Sequence, residues 1–159
     1  MPAAPITAIG AQQVQRQLRS SVPGSVHGGP VGAHASPGTA HTRSFDRRVE
    51  EVPVARRFVR EALADHPAAP DAELLACELV TNAVQHAAGA DAVTVTVLRF
   101  GQFVHVDVID DGQTGLPHWR EANSSDESGR GFQLVNELAH RWGFLREPAG
   151  TCVWFEITS

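Results

Sequence analysis

"CELVTNAVQHA", residues 77–87, sets an acid, an amide and an imidazole four residues apart, at Glu78, Asn82 and His86, in an otherwise apolar run. A helix turns about 100° per residue, so these three side chains fall within an arc of roughly 80°. Ala76, Val80, Ala83 and Ala87 occupy the opposite arc and form a face that can pack on a sheet. The spacing therefore predicts an amphipathic helix. It is charged or capped at its start by Asp71, which follows Pro70, and it runs to about Ala88 and stops at Gly89.

Working outward, the same helical period appears upstream in Ala55, Phe58, Val59, Ala62 and Leu63, with Pro53 suited to a first turn and Pro67 ending the run. "RSFDRRVEEV" before it reads as an edge strand leading into a turn. Downstream the period changes to two. Val93, Val95 and Val97 alternate with Thr94 and Thr96, and Val104, Val106 and Val108 alternate with His105 and Asp107, around a glycine-containing "RFGQF" hairpin. A helix from about Phe132 to His140 and two strands, Trp142 to Arg146 and Thr151 to Thr158, complete the pattern. The fold class expected is α/β: a two-layer sandwich of one mixed, mostly antiparallel sheet with helices on one face.

Residues 1–42 differ in kind. They are rich in Gly, Pro, Ala, Ser and His without a sustained period, and such composition buries too little apolar surface to offset the entropy of ordering, so a disordered tail is expected before a domain spanning 43–159. A short helix over Ala11 to Arg19 is compatible with the tail; the sevenfold spacing of His27, His34 and His41 is attributed to chance. The net charge of -5 and the lack of any sustained basic cluster argue against a nucleic-acid or anionic-membrane surface. No apolar stretch approaches the roughly 20 residues of a membrane span, and the chain is read as soluble and cytoplasmic. Cys77 and Cys152 lack metal-ligand spacing and read as buried thiols rather than a disulfide.

Two further stretches carry chemistry. "VIDDGQTG" places Asp110, Asp111 and Gly112 where a strand stops, and glycine there admits close approach of a ligand to backbone. "SGRGFQLV" puts Gly129 and Gly131 at the start of a helix, where free N–H groups and the helix dipole favour a phosphate.

Taken in order, E-x-x-x-N-x-x-x-H on a helix, D-x-G after a strand, G-x-G-F opening a helix and "GTCVWFEI" as closing strand resemble the Bergerat ATP-binding fold, shared by DNA gyrase, histidine kinases and mismatch-repair ATPases. Within that superfamily, "ELVTNAVQHA" and "SGRGFQLV" look most like the anti-sigma-factor serine/threonine kinases and their actinobacterial ATP-binding relatives, over about residues 43–159. The resemblance implies ATP and Mg²⁺ as cofactors. It makes Asn82 the metal ligand, whose neutral carbonyl oxygen suits a hard ion. Glu78, one turn earlier and about 6 Å along the axis, becomes the general base. Asp110 is implied as the acceptor of the adenine amino group, which would reject guanine by leaving acceptors unpaired. Gly112 follows it, Thr151 assists adenine through water, and Gly129, Arg130, Gly131 and Phe132 serve the phosphates. His86 contacts phosphate or closes the helix end.

The same resemblance supplies the expected partners, a sigma factor and an anti-sigma-factor antagonist, and a homodimer as the common assembly. Thr114 stands where the family usually has a second glycine, with Gly115 one residue late. The intervening loop, about Gln113 to Ser128, carries the acidic "EANSSDES" and a single arginine, Arg120, in place of the family's γ-phosphate arginine; Arg130 is the candidate substitute. A nucleotide-sensing module that binds a partner without phosphotransfer is the alternative. The catalytic part of a two-component histidine kinase would need dimerising phosphoacceptor helices that residues 1–42 do not supply.

Overall fold

The computed structural model describes residues 38–86, 91–111, 130–147 and 150–159. In chain order these form β1 (Thr39–Asp46), a single 3-10 turn (Val49–Glu51), α1 (Val52–Leu63), α2 (Ala69–His86), β2 (Ala92–Phe100), β3 (Phe103–Asp110), α3 (Arg130–Leu138), β4 (Arg141–Glu147) and β5 (Gly150–Thr158). The strands make one sheet in the order β1-β2-β3-β5-β4, with all four pairings antiparallel. Because β5 lies between β3 and β4, those two strands run in the same direction, and α3 stands in the connection between them.

The period-two pattern explains which face is covered. Val93, Val95 and Val97 pair with Asp110, Val108 and Val106, and the last two pair in turn with Val153 and Phe155, so one face of the sheet is nearly continuous valine and phenylalanine. The helices pack there: α1 on β2 and α2 on β3. From α2 come Ala72, Leu75, Ala76, Leu79 and Val80, and from α1 Ala55, Val59 and Leu63, all buried. Fully burying one such Val or Leu side chain contributes roughly 1.5–3 kcal/mol, so this apolar seam is the main source of stability. Arg56 and Arg60 of α1 both bond the buried Glu73 of α2, and the Arg60 hydrogen bond foremost holds that carboxyl down at about 2 against the opposing effect of burial. The helix pair is thereby fixed in register as well as packed.

Several details depart from expectation. β1 starts at Thr39, inside the stretch whose composition reads as tail, because it is held by the ladder to β2 and by hydroxyl hydrogen bonds, Thr42 to Thr96 at 3.1 Å and Ser44 to Thr94 at 2.8 Å; Phe45 alone is buried, edge-on to Phe58 with ring centroids 5.8 Å apart. A strand held by its ladder rather than by an apolar face leaves no hydrophobic period to read. α2 begins at Ala69, ahead of Pro70 and Asp71, and of the two roles expected for Asp71 it takes the charge in the first turn. On the face away from the helices, His105 and Asp107 are each only 3% exposed. His105 Nε2 lies 2.9 Å from Asp107 Oδ1 and Nδ1 lies 3.2 Å from Glu156 Oε1, while Trp154 stacks on the ring at 5.6 Å. Burial opposes the charged imidazolium, but the two carboxylates outweigh it and raise His105 to about 9.

Neither cysteine is in a disulfide and both are half-buried, and burial pushes the Cys77 thiol up. Among the described residues no helix is long and apolar enough to cross a membrane. The N-terminal segment 1–37, including the Ala11 to Arg19 stretch, His27 and His34, lies outside the described residues.

Candidate functional site

Three elements converge at the end of the sheet where β3 finishes. α2 contributes Glu78 and Asn82, both half-buried and four residues apart, on the arc of the helix away from Ala76 and Val80. β3 contributes Asp110, its last residue, on the same face as Val108 and Val106. β5 contributes Thr151, which is directly opposite Asp110 in the ladder and only 6% exposed. Val93 of β2 pairs with Asp110 on its other side, so the carboxylate stands between a fully buried apolar side chain and the Thr151 hydroxyl. Such a row suits a flat, largely apolar ligand with a small number of polar edges.

Gly150 is what allows the row to exist. Its φ of 146° is one that side chains rarely adopt, and a Cβ built there would lie 1.8 Å from the carbonyl oxygen of Asp110. Glycine thus lets β5 start directly against the end of β3 and brings Thr151 level with Asp110. Sequence reasoning did not single out this residue, although the turn-like "EPAG" just before a strand was its available signal.

The two adjacent aspartates separate cleanly. Asp111 is exposed, yet its Oδ1 accepts hydrogen bonds from the backbone N–H groups of Asp91 at 2.9 Å and Ala92 at 3.2 Å. It ties the entry of β2 to the exit of β3. Asp110, one residue earlier, carries its side chain on the helix-bearing face, toward the layer that holds Asn82 and Glu78.

Arg130, Gly131 and Phe132 form the first turn of α3 and are described by their backbone. The helix is pinned to β4 by the indole N–H of Trp142, which donates to Asn136 Oδ1 at 2.8 Å. Gly112, Gly129, the 113–128 loop with Thr114, Gly115 and Arg120, and the side chain of His86 lie outside the described residues. Among the described residues no group of three or more His, Cys, Asp or Glu side chains is arranged to hold a metal ion. The oxygen donors available here, the Asn82 amide and nearby carboxylates, are of the hard type that Mg²⁺ accepts as a partial set, with phosphate and water completing it.

A family model for the histidine kinase-like ATPase domain matches residues 42–157. No curated protein matches the chain by sequence. Among solved structures, the crystal structure of the RsbU and RsbW domains of Rv1364c from Mycobacterium tuberculosis is similar at TM-score 0.58 and 23% identity, over 76% of this chain and 32% of that one. The chain therefore spans about a third of that protein, and the likeness shows the fold. The histidine kinase domain of the blue-light activated histidine kinase EL346 from Erythrobacter litoralis aligns at TM-score 0.44 and 31% identity, over 57% of this chain and 44% of that one. With a five-stranded antiparallel sheet, helices on its one valine-rich face and the family match over most of its length, the chain belongs to the histidine kinase-like ATPase domain family and has the Bergerat α/β fold.

Proposed function

We propose that this protein is an ATP-binding regulator that acts as an anti-sigma factor and as a serine/threonine kinase toward an anti-sigma-factor antagonist. The observation that carries the nucleotide part is the pairing of Asp110 with Thr151 at the end of an apolar row, under the helix bearing Glu78 and Asn82. The regulatory part is supported by the likeness of the fold to a mycobacterial protein that contains an RsbW domain.

In this reading the Asp110 carboxylate accepts from the adenine amino group, and Thr151 holds the second contact through its hydroxyl. Gly112 lets the chain approach the ring. The backbone of Gly129, Arg130, Gly131 and Phe132, at the start of α3, receives the phosphates, where unsatisfied N–H groups and the helix dipole favour anions. Asn82 supplies an oxygen to Mg²⁺. ATP would bring the transferable phosphoryl group, and the metal would offset its charge. Glu78 accepts the proton of the incoming serine hydroxyl, a role a half-buried carboxylate one turn from the metal ligand can fill. The working unit is the 43–159 domain, acting in the cytoplasm with a sigma factor and an antagonist as partners and with a homodimer as its assembly.

A second reading, nucleotide sensing without transfer, is favoured by the acidic "EANSSDES" in the loop that follows Asp111. The two separate in one experiment: phosphate transfer from labelled ATP to candidate antagonists, by the parent and by Glu78→Gln. Transfer by the parent and its loss in the variant, with ATP affinity retained, supports the kinase. ATP binding without transfer to any antagonist leaves the sensing module, and transfer by Glu78→Gln at the parent rate contradicts the assigned base.

A further inference from the structure

Four segments meet around the backbone of Asp91, and each contact there is made by a group that the nucleotide reading leaves unused. The Asp91 carbonyl accepts from the backbone N–H of Arg47 at 3.1 Å, just past the end of β1. The Asp91 N–H donates to Asp111 Oδ1 at 2.9 Å, just past the end of β3. From the same Arg47, the side-chain Nε–H reaches the carbonyl of Val84 at 3.1 Å, in the last turn of α2. Carbonyls near a helix C-terminus are the ones that side-chain donors commonly satisfy, and Arg47 supplies such a donor here. A guanidinium at that point also opposes the negative end of the helix dipole.

These contacts form a chain from Val84 through Arg47 and Asp91 to Asp111. One end of it is two residues from Asn82, and the other is adjacent to Asp110. α2 packs on the sheet through apolar side chains, which resist separation more than small rotation or sliding of the terminal turn. Directional hydrogen bonds at that turn are what fix it relative to the strand ends.

We infer that Arg47 is a positioning residue for the nucleotide site: it holds the turn of α2 that follows Asn82 in register with the strand end carrying Asp110 and Thr151. Asp111 is the second anchor of the same clamp. Arg47 touches no nucleotide in this role; it sets where the metal-binding arm stands relative to the adenine-binding arm. The inference rests on the ATP reading above for its functional consequence, while the clamp itself is a property of the unliganded chain.

The test uses the full-length protein, with Arg47→Ala, Arg47→Lys and, as a control at the opposite end of the domain, His66→Ala. His66 is buried and joins the α1–α2 connection to the β2–β3 hairpin through the Gly101 carbonyl at 2.9 Å. Amide hydrogen exchange without ligand reads the clamp, and calorimetric titration of ATP with and without Mg²⁺ reads its consequence. Arg47→Ala should speed exchange selectively over the last turn of α2 and reduce the magnesium-dependent gain in ATP affinity about tenfold, the scale at which loss of a supporting contact weakens a metal site. Arg47→Lys, which keeps the charge but not the guanidinium geometry, should recover part of both. His66→Ala should lower the melting temperature and leave the magnesium gain as in the parent. If Arg47→Ala does not fold, Arg47→Gln carries the same comparison.

An unchanged magnesium gain in Arg47→Ala, or an equal loss in His66→Ala, overturns this inference alone. Unchanged exchange at the last turn of α2 does so as well. Absence of ATP binding by the parent overturns the nucleotide reading, and this inference with it.

Discussion

At one end of the sheet, the β2–β3 hairpin closes by a short turn whose carbonyls are held by other parts of the chain: Gly101 turns the chain at φ 58°, His66 donates to its carbonyl, and the N–H of Ser159 donates to the Gln102 carbonyl at 3.1 Å. The other end holds the entry of β2 and the exit of β3, which belong to different connections. Closure there relies on Asp111 reaching back to Asp91 and Ala92, on Arg47 reaching across to α2, and on Gly150 letting β5 abut the end of β3. Both ends draw on distant parts of the chain, but the hairpin end is built on a two-residue turn between β2 and β3, whereas the β2 entry and the β3 exit are joined through the side chains of Asp111 and Arg47. A binding site needs polar groups from several elements gathered at one place, and the same gathering leaves that end dependent on single residues. The two ends therefore predict different sensitivities to mutation.

The glycines make the sharpest contrast. Gly150→Ala drives a Cβ into the Asp110 carbonyl, at 1.8 Å, on a backbone that side chains rarely adopt. It should cost about 4 kcal/mol through overpacking and strain together, and should abolish ATP binding in whatever protein still folds. Thermal unfolding and ATP titration check both. A mild loss of stability with normal ATP affinity would mean that the β3–β5 junction does not govern the site.

Between the two ends stands the trio of His105, Asp107 and Glu156. His105→Ala leaves two buried carboxylates without their shared cation and should cost about 3 kcal/mol while leaving ATP affinity unchanged. The parent should show its signature in pH. The folded imidazolium titrates at about 9 and the unfolded one at 6.5, so its stabilisation is complete below pH 6.5 and disappears as pH rises through 9. Denaturant titrations between pH 6 and pH 10 on the parent and His105→Ala measure this. Equal slopes for the two proteins would remove the histidine from the pH dependence.

The smallest effect belongs to the hairpin. Gly101 has open space around its Cβ position, so Gly101→Ala meets only the cost of its φ of 58°, about 1 kcal/mol. ATP affinity should not move. A cost as large as that of Gly150→Ala would erase the distinction between the two ends.

Much of this was legible in the sequence for a definable reason. Val93 to Val97 and Val104 to Val108 carry a period of two that only a half-covered sheet rewards, and Ala76, Val80 and Ala83 carry the helical period that covers it. Asn82 and Glu78 could be read because polar residues on an apolar helix mark themselves by contrast. Thr39 to Thr42 could not be recognised as strand, since an exposed edge needs hydrogen bonds and no particular side chains. The burial of His105 and Asp107 was not legible, because alternation reports which face a residue is on and says nothing of whether that face is covered. The division of labour between Asp110 and Asp111 depends on a backbone N–H contact across 20 positions of sequence, and the role of Arg47 on a guanidinium donating to a carbonyl across 37, distances at which no local pattern speaks. Gly150 was visible as a turn glycine, but its necessity lies in the carbonyl it faces.

Whether the polar arc of α2 and the Asp110–Thr151 row form one Mg-ATP site is decided by calorimetric titration of ATP into the purified protein, with and without Mg²⁺, beside Asn82→Ala. A single site requires magnesium-dependent binding that Asn82→Ala loses while its melting temperature stays within a few degrees of the parent. Binding that ignores both magnesium and Asn82, or no binding at all, would refute it.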